Sequence, residues 1–194
     1  MISRAATLSL LAKEGIKFTT TPWKGSGYHG TSRAIALRIA REGFNWSLIA
    51  PKRRYGHGVY FYIDDTIPGF RAAICHARDG NGFKNPAVIK SDLQCKRLLD
   101  VFASHNSLSF TALWNYLRRV NPPGGPEIDE KMVAEMIGHP IAGALDCDGI
   151  GASFFIREPK EKIHLTHRQA GICVAKPSAI RSNVLAVEDE ANGK

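Results

Sequence analysis

Short β-rich runs, set between helical stretches of unequal length, limit the architectures open to this 194-residue chain. A doubly wound sheet needs regular strand–helix alternation, and none is present. Gly58–Ile63 is the clearest strand, with Val59, Tyr60 and Phe61 at its centre. Ala87–Leu93 and Leu98–Phe102 read as two more, with shorter ones at Tyr28-His29, near Gly149–Ile156 and at Gly171–Ala175. Between them, residues 3–13 read as an amphipathic helix. Thr31 or Ser32 caps a helix that runs to Arg41 and stops at Gly43. Pro68 opens a helix through about His76. Ser107–Val120 places Phe110, Leu113, Trp114 and Leu117 on one face, and Glu127–Gly138 has acidic residues in its first turn. The pattern predicts one α+β domain over residues 1–194, with a polar tail at about 187–194.

Composition narrows the class. Hydrophobic residues are 44% and charged residues 23%, the balance of a globular chain rather than a disordered or fibrous one. No apolar run approaches the roughly 20 residues of a membrane span. The N-terminal stretch lacks the apolar length of a signal peptide, so a cytoplasmic protein without membrane contact is expected. Lys+Arg is 26 against Asp+Glu 18, a net charge of +8 that favours phosphate-bearing partners, nucleic acid among them. Cys75, Cys95, Cys147 and Cys173 form no C-x-x-C pair and read as small buried hydrophobes in a reducing compartment. The one metal-type spacing is His164-x-x-His167, too little for a site, so no metal is expected.

Two Gly-flanked segments carry the chemistry. Tyr28-His29-Gly30-Thr31 precedes a helix that ends in Glu42-Gly43-Phe44, and Gly56-His57-Gly58-Val59-Tyr60-Phe61 follows a loop of about a dozen residues. Taken singly, His29 reads as a satisfied core histidine and Tyr60 as an ordinary strand aromatic. Downstream lie Asp146-Cys147-Asp148-Gly149-Ile150 and Ile172-Cys173-Val174-Ala175-Lys176-Pro177-Ser178-Ala179-Ile180. In this order the four segments resemble the ADP-ribosyltransferases of the histidine–tyrosine–glutamate type, which include the poly(ADP-ribose) polymerases and many bacterial toxins. The resemblance spans about residues 25–181.

The resemblance implies a fold of two small packed, mainly antiparallel sheets with flanking helices and an NAD cleft between them. It gives His29, Tyr60 and Gln169 as catalytic residues. His29 would hold a ribose hydroxyl, Gly30 would let the backbone approach the nicotinamide amide, and Tyr60 would stack on the nicotinamide with Gly56 and Gly58 making room beside it. Thr31, Ser32, Arg54, Tyr55, Gly58 and Phe61 complete the implied NAD-binding set. The segment Asn45–Tyr55 would be the loop over the adenosine and phosphates. Lys52, Arg53 and Trp46 in it are the candidate acceptor-binding residues. The basic run also reads as a solvated loop, and Trp46 equally as a loop anchor.

The chain departs from the family pattern at the glutamate. Between Glu161 and Glu188 there is no carboxylate. Gln169 is the candidate to bond the ribose 2′-hydroxyl, without charge and without capacity as a base. Glu158, Glu161 and Asp148 stand as substitutes, and a solvated strand-end role for Gln169 stays open. The helix Arg71-Ala72-Ala73-Ile74-Cys75 also lacks the second aromatic that the polymerases bring to nicotinamide. The resemblance therefore implies mono-transfer rather than chain elongation. The expected function is a toxin- or effector-like mono-ADP-ribosyltransferase that uses NAD as co-substrate and, on net charge, RNA or DNA as acceptor. An antitoxin or immunity protein is the expected protein partner. Protein-directed transfer, NAD hydrolysis and an inactive nucleotide- or ADP-ribose-binding module remain as alternatives.

Overall fold

The computed structural model describes residues 3–49, 55–65, 67–101, 103–157 and 166–186. Local signals set most helix boundaries. The Ser3 side chain caps α1 (Arg4–Lys13) by accepting from Ala6 N at 3.2 Å. After β1 (Thr21–Ser32), the Ser32 hydroxyl accepts from Ile35 N and starts α2 (Arg33–Glu42), and Gly43 ends it at φ 78°. Pro68 stands directly before α3 (Gly69–Cys75), which runs into a π-turn at His76–Gly80. Asp129 caps α5 (Glu130–Met136) by accepting from Met132 N at 2.8 Å. The remaining elements are β2 (Val59–Tyr62), β3 (Pro86–Asp100), α4 (Ser104–Val120), the short α6 (Ala142–Ala144), β4 (Gly149–Arg157), β5 (Thr166–Val174) and β6 (Ile180–Ala186). Among the described residues no helix is long and apolar enough to cross a membrane.

The chain is α+β, as its pattern predicts, but the strands make one sheet rather than two. Their order is β1-β2-β5-β4-β3-β6, and β1 also pairs with β3, so five strands close into a ring with β6 on its outside. The two expected halves are visible as β1-β3-β6 and β2-β5-β4. Two narrow seams join them. One is a single antiparallel pair, Tyr28 with Tyr62; the other is the parallel run of Leu98–Asp100 beside Gly149–Gly151.

Four strands differ from the expected pattern, beginning with β1, which was expected at Tyr28-His29 and runs from Thr21 to Ser32. The runs at Ala87–Leu93 and Leu98–Phe102 are one strand, β3, that passes through the polar Gln94–Arg97. There its neighbour changes from β6 to β4, and the Asp148 carboxylate accepts from Lys96 N at 2.7 Å and Arg97 N at 3.0 Å, so the backbone stays extended. β5 begins at Thr166 rather than Gly171, paired along its whole length with β4. β6, which has no clean alternation, is held by β3 and by side-chain bonds from Ser91 Oγ to Asn183 Oδ1 and from Ser182 Oγ to Asp92 Oδ2, each 2.7 Å.

Strand alternation sorts the core. Phe61, Leu93, Cys95, Leu98, Ile172 and Val174 meet inside the ring. Gly27 lies among them, because a Cβ there would sit 2.6 Å from the Leu93 side chain and 2.8 Å from Phe61 Cβ. α2 covers the same face of β3 at one end, through Ala36 and Ile39 on Ala87 and Ile89. α3 packs on the opposite face with Phe70, Ala72 and Ala73 against Tyr28, Tyr62 and Val88. α1, α4 and α5 bury Leu11, Leu113 and Val133 with Tyr55, Leu99, Ile150 and Cys173 outside the ring.

Candidate functional site

The seam between β1 and β2 is where the two Gly-flanked segments meet. Beyond the Tyr28–Tyr62 pair the strands make no further ladder pair, and a side chain bridges them instead: His29 Nδ1 donates to the Tyr60 carbonyl at 2.9 Å. A carbonyl only accepts, so Nδ1 carries a proton and is the donor in this bond. The His29 ring is half-buried and edge-on to Phe44 at 5.3 Å and Phe61 at 6.0 Å, which are edge-on to each other at 5.6 Å. Phe44 arrives because Gly43 turns the chain out of α2. A phenylalanine directly after a helix stop carries no sequence signal for this place beside His29.

The Tyr60 ring does not share this face. It follows the opposite alternation to Phe61 and packs outside the ring against the cluster of Tyr55 and Cys173. Its hydroxyl accepts from Tyr55 N at 2.9 Å and donates to Gly56 O at 3.3 Å, which fixes the turn before β2. His29 and Tyr60 therefore flank one seam from its two sides. Of the other implied NAD-binding residues, Thr31, Tyr55, Gly58 and Phe61 are buried and Ser32 serves as the cap of α2. Arg54, Lys52 and Arg53 lie outside the described residues, as do Glu158 and Glu161.

The motif glycines have structural occupants. A Cβ on Gly30 would meet the Ala73 carbonyl oxygen at 1.9 Å, so this glycine lets α3 lie on β1. Gly56, at φ 96°, faces the Gly138 carbonyl oxygen at 2.2 Å from its would-be Cβ, and Gly58 faces the Val174 carbonyl oxygen at the same distance. On the side where a Cβ would stand, each of these glycines meets protein backbone.

The structure does not bring Gln169 to this seam. It is 1% exposed, and its amide is engaged by the 63–67 turn. Nε2 donates to Ile63 O at 2.6 Å and Ile67 O at 3.0 Å, and Oε1 accepts from Ile67 N at 3.3 Å. On β5 the residue paired with Tyr60 is Cys173, four positions away, or roughly 13 Å at strand rise. Gln169 is neither a solvated strand end nor, in this geometry, a ribose ligand. It clamps the turn that leads into α3.

Asp148 is committed as well. Besides the amides of Lys96 and Arg97, it binds Lys176 Nζ at 3.1 Å, and Lys176 also reaches Asp146 Oδ1 at 2.8 Å. Burial pushes the Asp148 carboxyl up, but the Lys176 ammonium and the two backbone donors outweigh it and hold the group below the usual carboxylate range. Lys176 is correspondingly raised by Asp146 and Asp148. No signal in the sequence pointed to Lys176 as the partner. Cys95 and Cys147 are buried, and burial pushes both thiols up to about 11, the unreactive side of their range. Among the described residues no group of three or more His, Cys, Asp or Glu could hold a metal ion.

Trp46 sits in a 3-10 turn, Trp46–Leu48, capped by Asn45, whose Oδ1 accepts from Ser47 N at 3.1 Å and Ser47 Oγ at 2.7 Å. It packs against the interior cluster, and its ring lies 6.4 Å from the exposed His57 ring at a 43° tilt. His57 is a neighbour that the sequence reading did not single out. No protein-family model and no curated protein matches the chain. A chain in the crystal structure of the M. tuberculosis MbcT–MbcA toxin–antitoxin complex is similar at TM-score 0.45 and 13% identity, over 96% of this chain and 94% of that one. So distant a likeness transfers neither activity nor site.

Proposed function

We propose that this protein is an NAD-dependent mono-ADP-ribosyltransferase of toxin or effector type that moves ADP-ribose from NAD to RNA or DNA. The observation that carries the reading is the seam bridged by His29 and Tyr60, formed by the two segments that resemble the NAD-binding half of that family. In the reaction the bond from nicotinamide to ribose C1′ breaks, nicotinamide leaves with the bonding electrons, and an acceptor nucleophile bonds C1′ and loses its proton. The transition state is oxocarbenium-like. His29, oriented by the bond from its Nδ1 to the Tyr60 carbonyl, is the residue that binds a ribose hydroxyl in this reading. Tyr60 supports it from the other face of the strand: its hydroxyl fixes the turn at Tyr55 and Gly56, and its carbonyl orients the His29 ring. The net charge of +8 supports a nucleic-acid acceptor.

A second reading has its own support. Gln169 and Asp148 are both held by backbone groups away from His29, which favours a nucleotide- or ADP-ribose-binding module without turnover. One experiment separates the readings: incubation with NAD labelled on the adenylate, in the presence of RNA, DNA and protein. Transfer to nucleic acid gives nicotinamide release and label that nuclease removes. Label removed by protease reassigns the acceptor to protein, and nicotinamide without label indicates hydrolysis. NAD binding without nicotinamide release establishes the binding module. In the transferase case His29→Ala lowers nicotinamide release by roughly 100-fold or more with the fold intact, the typical loss for one positioned polar group. Near-wild-type turnover in that variant refutes the site.

A further inference from the structure

We propose that the solvent face of β1 and β3 around Lys24 and Lys96 docks a single strand of nucleic acid. The proposal rests on the nucleic-acid acceptor of the reading above and gives that acceptor a surface outside the Asn45–Tyr55 loop. β3 has one residue more than β1 here, since Thr21 pairs with Leu98 and Trp23 with Cys95. At such a bulge two residues oppose one, and the inward–outward alternation slips by a place. Leu93, Cys95 and Leu98 are accordingly buried in the ring, whereas Lys96 and Arg97 are both exposed. Asp148 holds the bulge through the two backbone N–H groups and leaves the Lys96 side chain to solvent.

Lys24 and Lys96 line an open hollow of about 230 Å³ on the two strands, together with Pro22, Trp23, Gln94 and Cys95. Among the described residues no hydrogen bond or ion pair engages either ammonium. Arg181, exposed on β6, donates to Gln94 Oε1 at 3.1 Å and brings a third cation beside the hollow. No carboxylate lines it. Asp92, on β3 two residues before Gln94, accepts from Ser182 Oγ. Cations around a partly apolar hollow suit a strand in which charged phosphates alternate with flat rings. An acidic peptide offers the charge without the rings. Lys24 precedes His29 on β1 by about 16 Å at strand rise, so a bound strand of several nucleotides extends to the seam.

The test is fluorescence anisotropy across a salt series with wild type, Lys24→Gln/Lys96→Gln and Lys24→Arg/Lys96→Arg. The probes are a labelled single-stranded mixed-sequence 12-mer and a labelled 12-residue polyglutamate. Both lysines are exposed, so the substitutions leave the fold in place, which circular dichroism checks. Each lost phosphate contact removes about 0.7 from the slope of log affinity against log salt. The glutamine pair therefore flattens that slope by about 1.4 and, in about 0.1 M salt, weakens the 12-mer by roughly 25-fold. The arginine pair keeps both at wild-type values. An unchanged slope and affinity in the glutamine pair overturn the proposal. Polyglutamate held as tightly as the 12-mer, with the same loss, makes the face a site for acidic protein and overturns it too. NAD affinity, read by calorimetry, is expected to be unchanged; an equal loss there assigns the lysines to the dinucleotide and also overturns the proposal. Since the main readout is binding, a protein that transfers no ADP-ribose yet shows the flattened slope overturns the transferase reading and keeps the docking face.

Discussion

Replacing Gln169 by glutamate distinguishes a clamp from a catalytic residue more sharply than any other single change. A residue that holds the ribose 2′-hydroxyl gains the family's negative charge in Gln169→Glu, and activity is kept or raised. A clamp loses it. The carboxylate cannot donate to the carbonyls of Ile63 and Ile67, and it sets its charge against both oxygens in a site that is 1% exposed. Two buried acceptors left unmet cost about 1–3 kcal/mol each, so a loss of about 3–5 kcal/mol is expected. Against a typical total of about 5–15 kcal/mol this is large, and at about 2–4 °C per kcal/mol it lowers Tm by roughly 10 °C or more. The pH dependence has a definite sign. Burial and the facing carbonyls raise the folded-state pKa of the introduced carboxyl. The variant is therefore closest to wild type below the unfolded glutamate value of about 4.3 and falls further behind as pH rises through the folded value. Thermal unfolding followed by circular dichroism from pH 4 to 8 reads both effects. A Gln169→Glu protein with wild-type Tm at pH 7, or with faster nicotinamide release, refutes the clamp.

Two further outcomes follow from the packing. Gly30→Ala drives a Cβ into the Ala73 carbonyl and displaces α3, lowering stability by at least about 2 kcal/mol in urea unfolding, whereas Gly143→Ala, with nothing within 4 Å, is neutral or slightly stabilising; equal stabilities count against the close approach. Asp148 contributes stability that is present above about pH 3.9 and lost as pH falls through its lowered folded value. Asp148→Asn therefore costs about 2–4 kcal/mol near neutrality and flattens the acid limb of stability between pH 2 and 5, and an unchanged limb removes Asp148 from the account of β3.

What the amino-acid sequence determined by itself was local. Ser32 and Gly43 bound α2 and Pro68 precedes α3, because caps and turns act on backbone groups within three or four residues, whereas the helix expected over Glu127–Gly138 starts at Glu130, with Asp129 as its cap, and ends at Met136. The α+β class and the positions of the two Gly-flanked segments were legible for the same reason. β1 was not: its pattern marks only Tyr28-His29, yet the strand is extended from Thr21, since Gly25 and Gly27 make room for Trp23, Leu93 and Phe61. β3 runs on through its polar middle because β1 pairs it on one side and Asp148, about fifty residues on, supplies acceptors on the other. Gln169 shows the limit most plainly. A glutamine near the start of an apolar strand suits a site or a surface, and its partners stand 102 and 106 residues away. Whether such an amide meets a ribose or a turn depends on which backbone groups the closed ring leaves without partners beside it, and only the tertiary structure decided that.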